Sequence, residues 1–202
     1  MPNIIPTKGN LISARRSLTL ANVGYELMDR KRNILIREIT GMIDEAQEVQ
    51  SRIDETFTKA YQALQGANIA LGIEELNTIA GAVPIDNSIA IRYRSVMGVE
   101  IPLLNKPDEK LRPYYGFAGS NSMLDEAYIN FSEVKKLTRE MAELETTIYR
   151  LAYAIKKTQK RANALNNIII PNISHTVKVI AEALEEKERE EFVRLKVIKA
   201  RQ

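Results

Sequence analysis

Residues 11–60 read LISARRSLTLANVGYELMDRKRNILIREITGMIDEAQEVQSRIDETFTKA. Apolar side chains recur here at alternating spacings of three and four, and a repeat averaging 3.5 residues is the period of a coiled-coil helix. Thirteen of fifteen stripe positions are apolar, the exceptions being Arg32 and Thr56. The positions are Leu11, Ala14, Leu18, Ala21, Tyr25, Met28, Arg32, Leu35, Ile39, Met42, Ala46, Val49, Ile53, Thr56 and Ala60. We predict one long helix that ends near Ala70 and needs an equally long partner.

A second stripe with the same rhythm supplies that partner. It reads Val134, Leu137, Met141, Leu144, Ile148, Leu151, Ile155, Thr158, Ala162, Leu165 and Ile169, then Ile173, Val177, Ile180 and Leu184. We expect this helix to begin near Ser120 or Ser122 and to kink before Pro171, because proline removes a backbone hydrogen bond and clashes with the preceding turn. Two long helices joined by a compact insert must run antiparallel, which predicts a rod with both termini at one end.

The ends of the first helix are predicted from residue types. Asn10 or Ser13 could cap its start, and Gly66 and Gly72 bracket a plausible end. Gly24 and Gly41 lie inside the helix, where glycine is unfavourable, so we expect both to face the partner helix.

The segment between the helices is rich in proline and glycine. Residues 88–96 and 99–103 alternate in polarity around Met97-Gly98, which predicts a β-hairpin after a short helical turn at residues 74–80. Pro102 makes its strand an edge strand, and residues 105–121 are expected to be loop. We therefore predict an all-α dominated fold, a long antiparallel two-helix coiled coil with a hairpin-containing insert, organised as residues 1–70, 71–121 and 122–202.

Composition agrees with a soluble helical protein. Aromatic residues make up 6% of the 202 residues, and the chain has no tryptophan and no cysteine. The net charge of +3 is too small to indicate nucleic acid by itself. Neither a signal peptide nor a membrane-spanning stretch is recognisable, so we expect any link to a membrane to run through partners.

No catalytic, cofactor-binding or metal site is predicted. The single histidine, His175, has no second histidine or cysteine with which to share a metal, and we assign it a structural or solvent-facing role. The segment from Gly116 to Gly119 lacks the Lys-Ser/Thr pair of a phosphate-binding loop.

Charge placement gives the first candidate binding surface. The second helix has no acidic residue between Glu145 and Glu182, and antiparallel pairing would bring its cations beside those of the first helix. Such a basic collar is either an ordinary solvated face or a surface for an acidic protein, with nucleic acid a weaker choice. The collar residues are Arg15, Arg16, Arg30, Lys31, Arg32, Lys156, Lys157, Lys160 and Arg161.

The hairpin is the second candidate surface, because exposed strand edges suit docking to a partner or modulation of its activity. Its candidate residues are Ile89, Ile91, Tyr93, Val99, Ile101 and Leu103.

Several segments resemble the D subunit of V-type and archaeal-type (A-type) ATPases/ATP synthases. They are TKGNL at 7–11 and GYELMDRKR at 24–32 near the start, then TQKRANALN at 158–166 with Ile170-Pro171, EREEF at 188–192 and RLK at 194–196. They occur in the family's order and span essentially the whole chain, whereas the central insert is the least diagnostic part.

The resemblance implies a non-catalytic central rotor shaft, without cofactors, that transmits torque between a nucleotide-hydrolysing hexamer and a membrane ion-translocating ring. It also implies partners: the catalytic and non-catalytic subunits of the hexamer, a small F subunit of the stalk, and a funnel-shaped subunit that links the shaft to the ring. The expected location is cytoplasmic and peripheral to the membrane. The alternative that the residues leave open is a coiled-coil scaffold or adaptor that binds an acidic protein surface or nucleic acid.

Overall fold

The computed structural model describes residues 5–85, 89–104, 112–116 and 119–200. Its elements are α1 (Lys8–Leu71), α2 (Ile73–Ala82), β1 (Ile91–Val96), β2 (Val99–Leu104), α3 (Ser122–Ala164), a π-helical segment (Leu165–Ile169) and α4 (Ile170–Ala200). The predicted class, long helices with a central hairpin, is confirmed. Ser88, the expected start of the first strand, lies outside the described residues. So do residues 105–111 and 117–118, which make up most of the expected loop at 105–121. None of the described helices combines the length and apolarity needed to cross a membrane.

Side-chain caps explain where the long helices begin. Thr7 caps α1, because its Oγ1 accepts a hydrogen bond from the Asn10 backbone N–H at 3.2 Å. The predicted caps Asn10 and Ser13 are therefore wrong, since both already lie inside the helix. Helix α3 begins at Ser122, one of the two predicted starts, and Asn121 caps it by accepting a hydrogen bond from the Leu124 N–H at 2.8 Å.

The end of α1 is set by backbone conformation. Gly72 has a φ of 85°, in the left-handed region that glycine adopts without steric cost, and its N–H bonds to the Asn68 carbonyl. Gly66, the other candidate for the helix end, lies inside α1.

The chain separates into two units. The first combines residues 1–34 with residues 155–202. Its helices run antiparallel: Lys8 Nζ lies 2.9 Å from Glu188 Oε1, and Arg32 Nη1 donates to Gln159 Oε1 at 2.8 Å. The Glu188 carboxylate raises the pKa of Lys8, mainly through this hydrogen bond and then through its charge.

The second unit comprises Leu35–Ala154. The remainder of α1 packs antiparallel on the first part of α3 around a core of Val49, Ile53 and Leu137, joined by the half-buried Phe57, Met141 and Leu144. Beside this core, the ring of the exposed Tyr61 meets the Phe131 ring edge-on, with 5.6 Å between ring centroids.

Further along the second unit, Tyr115 donates a hydrogen bond to Asp125 at 2.6 Å. Burial, together with this hydrogen bond, raises the pKa of the Tyr115 hydroxyl above its usual range. The contribution of the contact to stability is therefore fully present below the usual tyrosine pKa and is lost as the pH rises through the raised value.

The predicted seam of α1 matches the observed burial. None of its fifteen positions is exposed, and six of them, including Leu35 and Ile53, are buried. The expected polar exceptions occupy the same stripe, with Arg32 and Thr56 half-buried. The division of the chain into residues 1–70, 71–121 and 122–202 stays a prediction.

The second seam departs from the prediction at one place. Residues Leu165–Ile169 form a π-helical segment, in which the Ile170 N–H bonds to the Leu165 carbonyl five residues back. A π-turn widens the helix just before Pro171, where the proline ring would otherwise clash with the preceding turn. Ile169, assigned to the seam from its spacing, is 41% exposed, because the extra residue in the turn shifts the apolar face.

The structure does not support the expected role of Gly41. A Cβ on Gly41 would meet nothing within 4 Å, so this glycine does not face a partner helix, whereas one on Gly24 would touch Leu165 Cδ1 at 3.9 Å. We expect Gly41→Ala to raise the free energy of unfolding by about 1 kcal/mol, because glycine in a helix interior costs backbone entropy. Gly72→Ala is the matched control and should lower it, since φ at this position is positive. Urea unfolding followed by circular dichroism measures both, and a loss of stability in Gly41→Ala would contradict the prediction.

Candidate partner-binding surfaces

The nine cations of the predicted collar all belong to the first unit. Arg30, Lys31 and Arg32 lie at the level of Lys156 to Arg161, because Arg32 bonds directly to Gln159. Arg15 and Arg16 do not join them: Arg16 is separated from Arg32 by sixteen residues of α1, about 24 Å. The structure therefore places seven of the nine predicted residues at one level of the helix pair.

Arg32 is occupied inside the helix pair. Its guanidinium lies 2.6 Å from Asp29 Oδ1 and donates to Gln159, whose amide in turn donates to Asn163 at 2.8 Å. The Arg32 side chain is 26% exposed. This polar network crosses between the helices, which is the arrangement by which a polar seam residue fixes helix register.

The cations on the opposite helix are free to bind a partner. Lys156, Lys157, Lys160 and Arg161 are exposed, and within the described chain none of them forms an ion pair. On α1, Arg30 is exposed and makes only a long contact with Glu26 at 3.9 Å. An exposed pair of this length contributes little, so the positive charge of the surface remains available.

The hairpin has a tight turn and a defined register. Met97 and Gly98 both have positive φ, 50° and 74°, as a type I′ turn requires. Ile91 pairs with Leu104, Tyr93 with Pro102 and Arg94 with Ile101. Directly paired residues share a face, so Ile91 and Tyr93 lie on one face and Val99, Ile101 and Leu103 on the other. The six candidate hairpin residues therefore do not form one surface.

Burial separates the two strands as well. Ile89, Ile91 and Tyr93 are more than half exposed, whereas Ile101 is 2% exposed. Val99 and Leu103 are half-buried.

The hairpin docks on α3 through the outer edge of β2. Arg150 donates to the Glu100 carbonyl at 3.0 Å and stacks on the Tyr93 ring, with its Cζ 5.4 Å from the ring centroid. The Leu104 N–H donates to the Glu143 carboxylate at 3.0 Å. Arg150 is not among the predicted surface residues, because a contact across fifty residues leaves no local signal.

We expect Arg150→Ala to loosen the hairpin from α3. The variant loses a charge-assisted hydrogen bond and a cation–π contact, so the Leu104 amide should exchange with solvent roughly tenfold faster. Amide exchange followed by NMR measures this, with total helicity unchanged. Tyr149→Ala is the control one residue away, because Tyr149 is 74% exposed. Equal exchange rates in both variants would contradict the docking role of Arg150.

A second apolar stripe is not among the predicted surfaces. Ile12, Leu20, Val23 and Leu27 lie along the outer face of α1, and each is between 47% and 74% exposed. Near the end of α4, Phe192 and Leu195 are 67% and 66% exposed. These four residues of α1 are spaced by eight, three and four, which is a helical pattern that the sequence already contains. The more regular seam alone was sufficient to predict the helix, so this pattern was not assigned a role. Exposed apolar side chains in such number are typical of surfaces that assemble with other proteins.

Similarity to known proteins extends along almost the whole chain. The sequence model that describes the D subunit of ATP synthase matches residues 10–200. The chain belongs to this ATP synthase family. It is 43% identical over 197 residues to the V-type ATP synthase D subunit of Thermotoga neapolitana, covering 98% of this chain and 97% of the relative. It is 38% identical over 206 residues to the A-type ATP synthase D subunit of Pyrococcus furiosus, covering 99% and 96%.

The resemblance inferred from short motifs is thereby confirmed. As a member of the D-subunit family, the chain is a subunit of an ATP synthase complex, and its partners are other subunits of that complex. The segments that carried the resemblance lie in the first unit, where they supply the Thr7 cap, the Arg32 network and the π-helical segment.

Proposed function

We propose that this chain is the non-catalytic central-stalk rotor subunit of a rotary V/A-type ATP synthase. It transmits torque between the nucleotide-hydrolysing hexamer and the membrane ion-translocating ring. The observation that carries the proposal is membership of the D-subunit family along nearly the whole chain.

The helix pairing suits torque transmission. Side chains of α1 pack against those of α3 in the second unit, and in the first unit α1 is bonded to α3 through Arg32 and to α4 through Lys8. Interlocked helices resist bending and twisting better than a single helix does, because rotation of one displaces packed side chains of the other. A shaft with unequal faces presents different contacts to otherwise equivalent catalytic sites and holds each in a different conformation.

The collar is the proposed contact with the hexamer. The exposed cations on α3, together with Arg30 and Lys31, would attract acidic loops of the surrounding catalytic and non-catalytic subunits. Exposed charge pairs are individually weak, so such contacts attract without locking the shaft in one position. The half-buried Arg32 sets helix register instead.

The remaining partners follow from the same proposal. The hairpin belongs to the portion that would face the membrane sector, where a funnel-shaped subunit joins the shaft to the ring. The small F subunit of the stalk would bind the side of the shaft. The chain is cytoplasmic and held at the membrane through the complex. The four exposed cations on α3, which form no ion pair within the described chain, also favour a second candidate, a scaffold that binds an acidic protein or nucleic acid.

Reconstitution tests the two candidates. The hexamer from the same source is assayed for ATP hydrolysis and for mass by gel filtration, with and without this chain. A larger complex with altered turnover is the expected result, and an unrelated antiparallel coiled coil of similar charge is the control that should change neither. If the chain elutes alone and leaves turnover unchanged, the rotor proposal fails. Salt-sensitive binding to random DNA in that case would favour the scaffold.

A further inference from the structure

The two edges of the hairpin differ in what covers them. In a hairpin with a two-residue loop, the residues that flank the loop exchange backbone hydrogen bonds, and bonded and non-bonded pairs then alternate along the strands. Val96 and Val99 flank the loop, so Ser95, Tyr93 and Ile91 on β1 direct their N–H and C=O groups away from β2. The same holds for Glu100, Pro102 and Leu104 on β2.

The outward groups of β2 are already satisfied. The Glu100 carbonyl accepts from Arg150, the Leu104 N–H donates to Glu143, and Pro102 between them has no N–H. The placement of Pro102 follows the same logic, because proline at an outward position removes no bond from the hairpin.

The outward groups of β1 have no such cover. All residues from Ile91 to Ser95 are exposed, and within the described chain the backbone groups of Ile91, Tyr93 and Ser95 bond to nothing on this edge. An uncovered edge is a template on which another extended segment can pair.

The side chains of β1 select the chemistry of that segment. Arg92 and Arg94 share one face, are exposed, and form no ion pair with any described residue. Ile91 and Tyr93 occupy the opposite face and are 54% and 59% exposed. A strand added at this edge would place alternate side chains opposite the two arginines, where carboxylates are favourable, and the others opposite apolar groups.

A second copy of the chain fits poorly. Antiparallel pairing of β1 with itself about Tyr93 would set Arg92 opposite Arg94 twice, and like charges directly opposite each other are unfavourable. The edge therefore calls for a partner of opposite charge.

We propose that the open edge of β1 binds an extended segment of another subunit of the ATP synthase complex, with acidic and apolar side chains at alternating positions, as an added strand. The inference rests on the proposed function, because that function supplies the complex in which such a partner is met. It assigns the hairpin a mode of binding, with backbone bonds giving affinity and the two arginines giving specificity.

Amide exchange at single-residue resolution tests the added strand. The probe is the complex purified from the same source without this chain, recombined with the full-length chain. We expect the outward amides of Ile91, Tyr93 and Ser95 to exchange at least roughly tenfold more slowly after assembly. The amides of Arg92 and Arg94, which already bond to β2, are internal controls. If assembly fails, the proposed function fails; if assembly succeeds and the outward amides exchange as in the free chain, this inference alone is overturned.

Substitutions separate backbone pairing from side-chain contact. Ser95→Pro removes one outward N–H without removing a bond to β2, and Ser95→Ala is its matched control. We expect Ser95→Pro, but not Ser95→Ala, to weaken assembly severalfold. Arg92→Glu with Arg94→Glu should weaken it roughly tenfold at low salt, because two favourable pairs become repulsive. Unchanged affinity in both the proline and the charge-reversed variants would overturn the proposal. It would also be overturned if the outward amides of the isolated chain exchanged more slowly at higher concentration of that chain, because the edge would then bind a second copy.

Discussion

Leu151→Ala is expected to lower the free energy of unfolding by roughly 3 kcal/mol, the largest effect we predict for a single residue. Leu151 is fully buried, as are two other large side chains of the helix seams, Leu35 and Ile180. Truncation removes buried methyl groups and leaves a cavity that two long helices cannot close by a local shift, because each is tied to the other along many turns. Urea unfolding followed by circular dichroism measures the loss.

The same substitution on the surface provides the control. Leu20 is 74% exposed, so Leu20→Ala should change the free energy of unfolding by no more than about 0.5 kcal/mol. Equal losses in the two variants would show that the helix seam is not where the stability of this protein resides. A loss confined to Leu151→Ala would support the interlocked helix pair on which the proposed torque transmission depends.

Neutralising the exposed cations on α3 is expected to produce the largest functional effect. The variant combines Lys156→Gln, Lys157→Gln, Lys160→Gln and Arg161→Gln. These side chains carry four charges that no described group neutralises, and each exposed pair contributes up to about 1 kcal/mol at low salt. Together they predict a loss of affinity for the hexamer of roughly tenfold or more, with lower ATP-driven turnover, because in the proposed rotor the shaft would no longer attract the loops that move past it.

The controls distinguish contact from folding and from overall charge. Helicity and unfolding should be unchanged, since all four side chains are exposed. A second variant neutralises four cations of the other unit: Arg52, Lys59, Arg112 and Lys136. It carries the same net charge and should keep normal turnover. If both variants behave alike, or if the α3 variant turns over normally at low salt, the collar is an ordinary solvated face.

Periodicity made the long helices predictable. A three-four repeat maintained from Leu11 to Ala60 has one physical solution, a helix with one buried stripe, and every position of that stripe is at least half-buried. The hairpin was equally predictable, because two runs of alternating polar and apolar residues flank Met97-Gly98 and glycine provides the positive φ that the turn needs. The residues that cap the helices could not be predicted exactly, since several residues near Thr7 and Asn121 are of types that cap helices equally well.

The candidate surfaces were predicted only in part. The sequence located the cations, but the fate of each one depended on its neighbours across the helix pair. Arg32 and Lys160 both belong to the predicted collar, yet Arg32 bonds to Asp29 and Gln159 whereas Lys160 is exposed without an ion pair in the described chain. The hairpin residues divide in the same way, since pairing register places Tyr93 and Ile101 on opposite faces.

By itself the sequence determined the helices, their antiparallel pairing, the hairpin and the family, because these follow from periods and motifs carried by neighbouring residues. Only the tertiary structure decided that Arg32 bonds to Asp29 and Gln159, that a π-helical segment precedes Pro171, and that Arg150 and Glu143 cover one edge of the hairpin while the edge of β1 stays open within the described chain. Those outcomes depend on which atoms meet across long separations in the chain. Such long-range contacts are determined by packing and hydrogen-bond geometry, which leave no local pattern in the sequence.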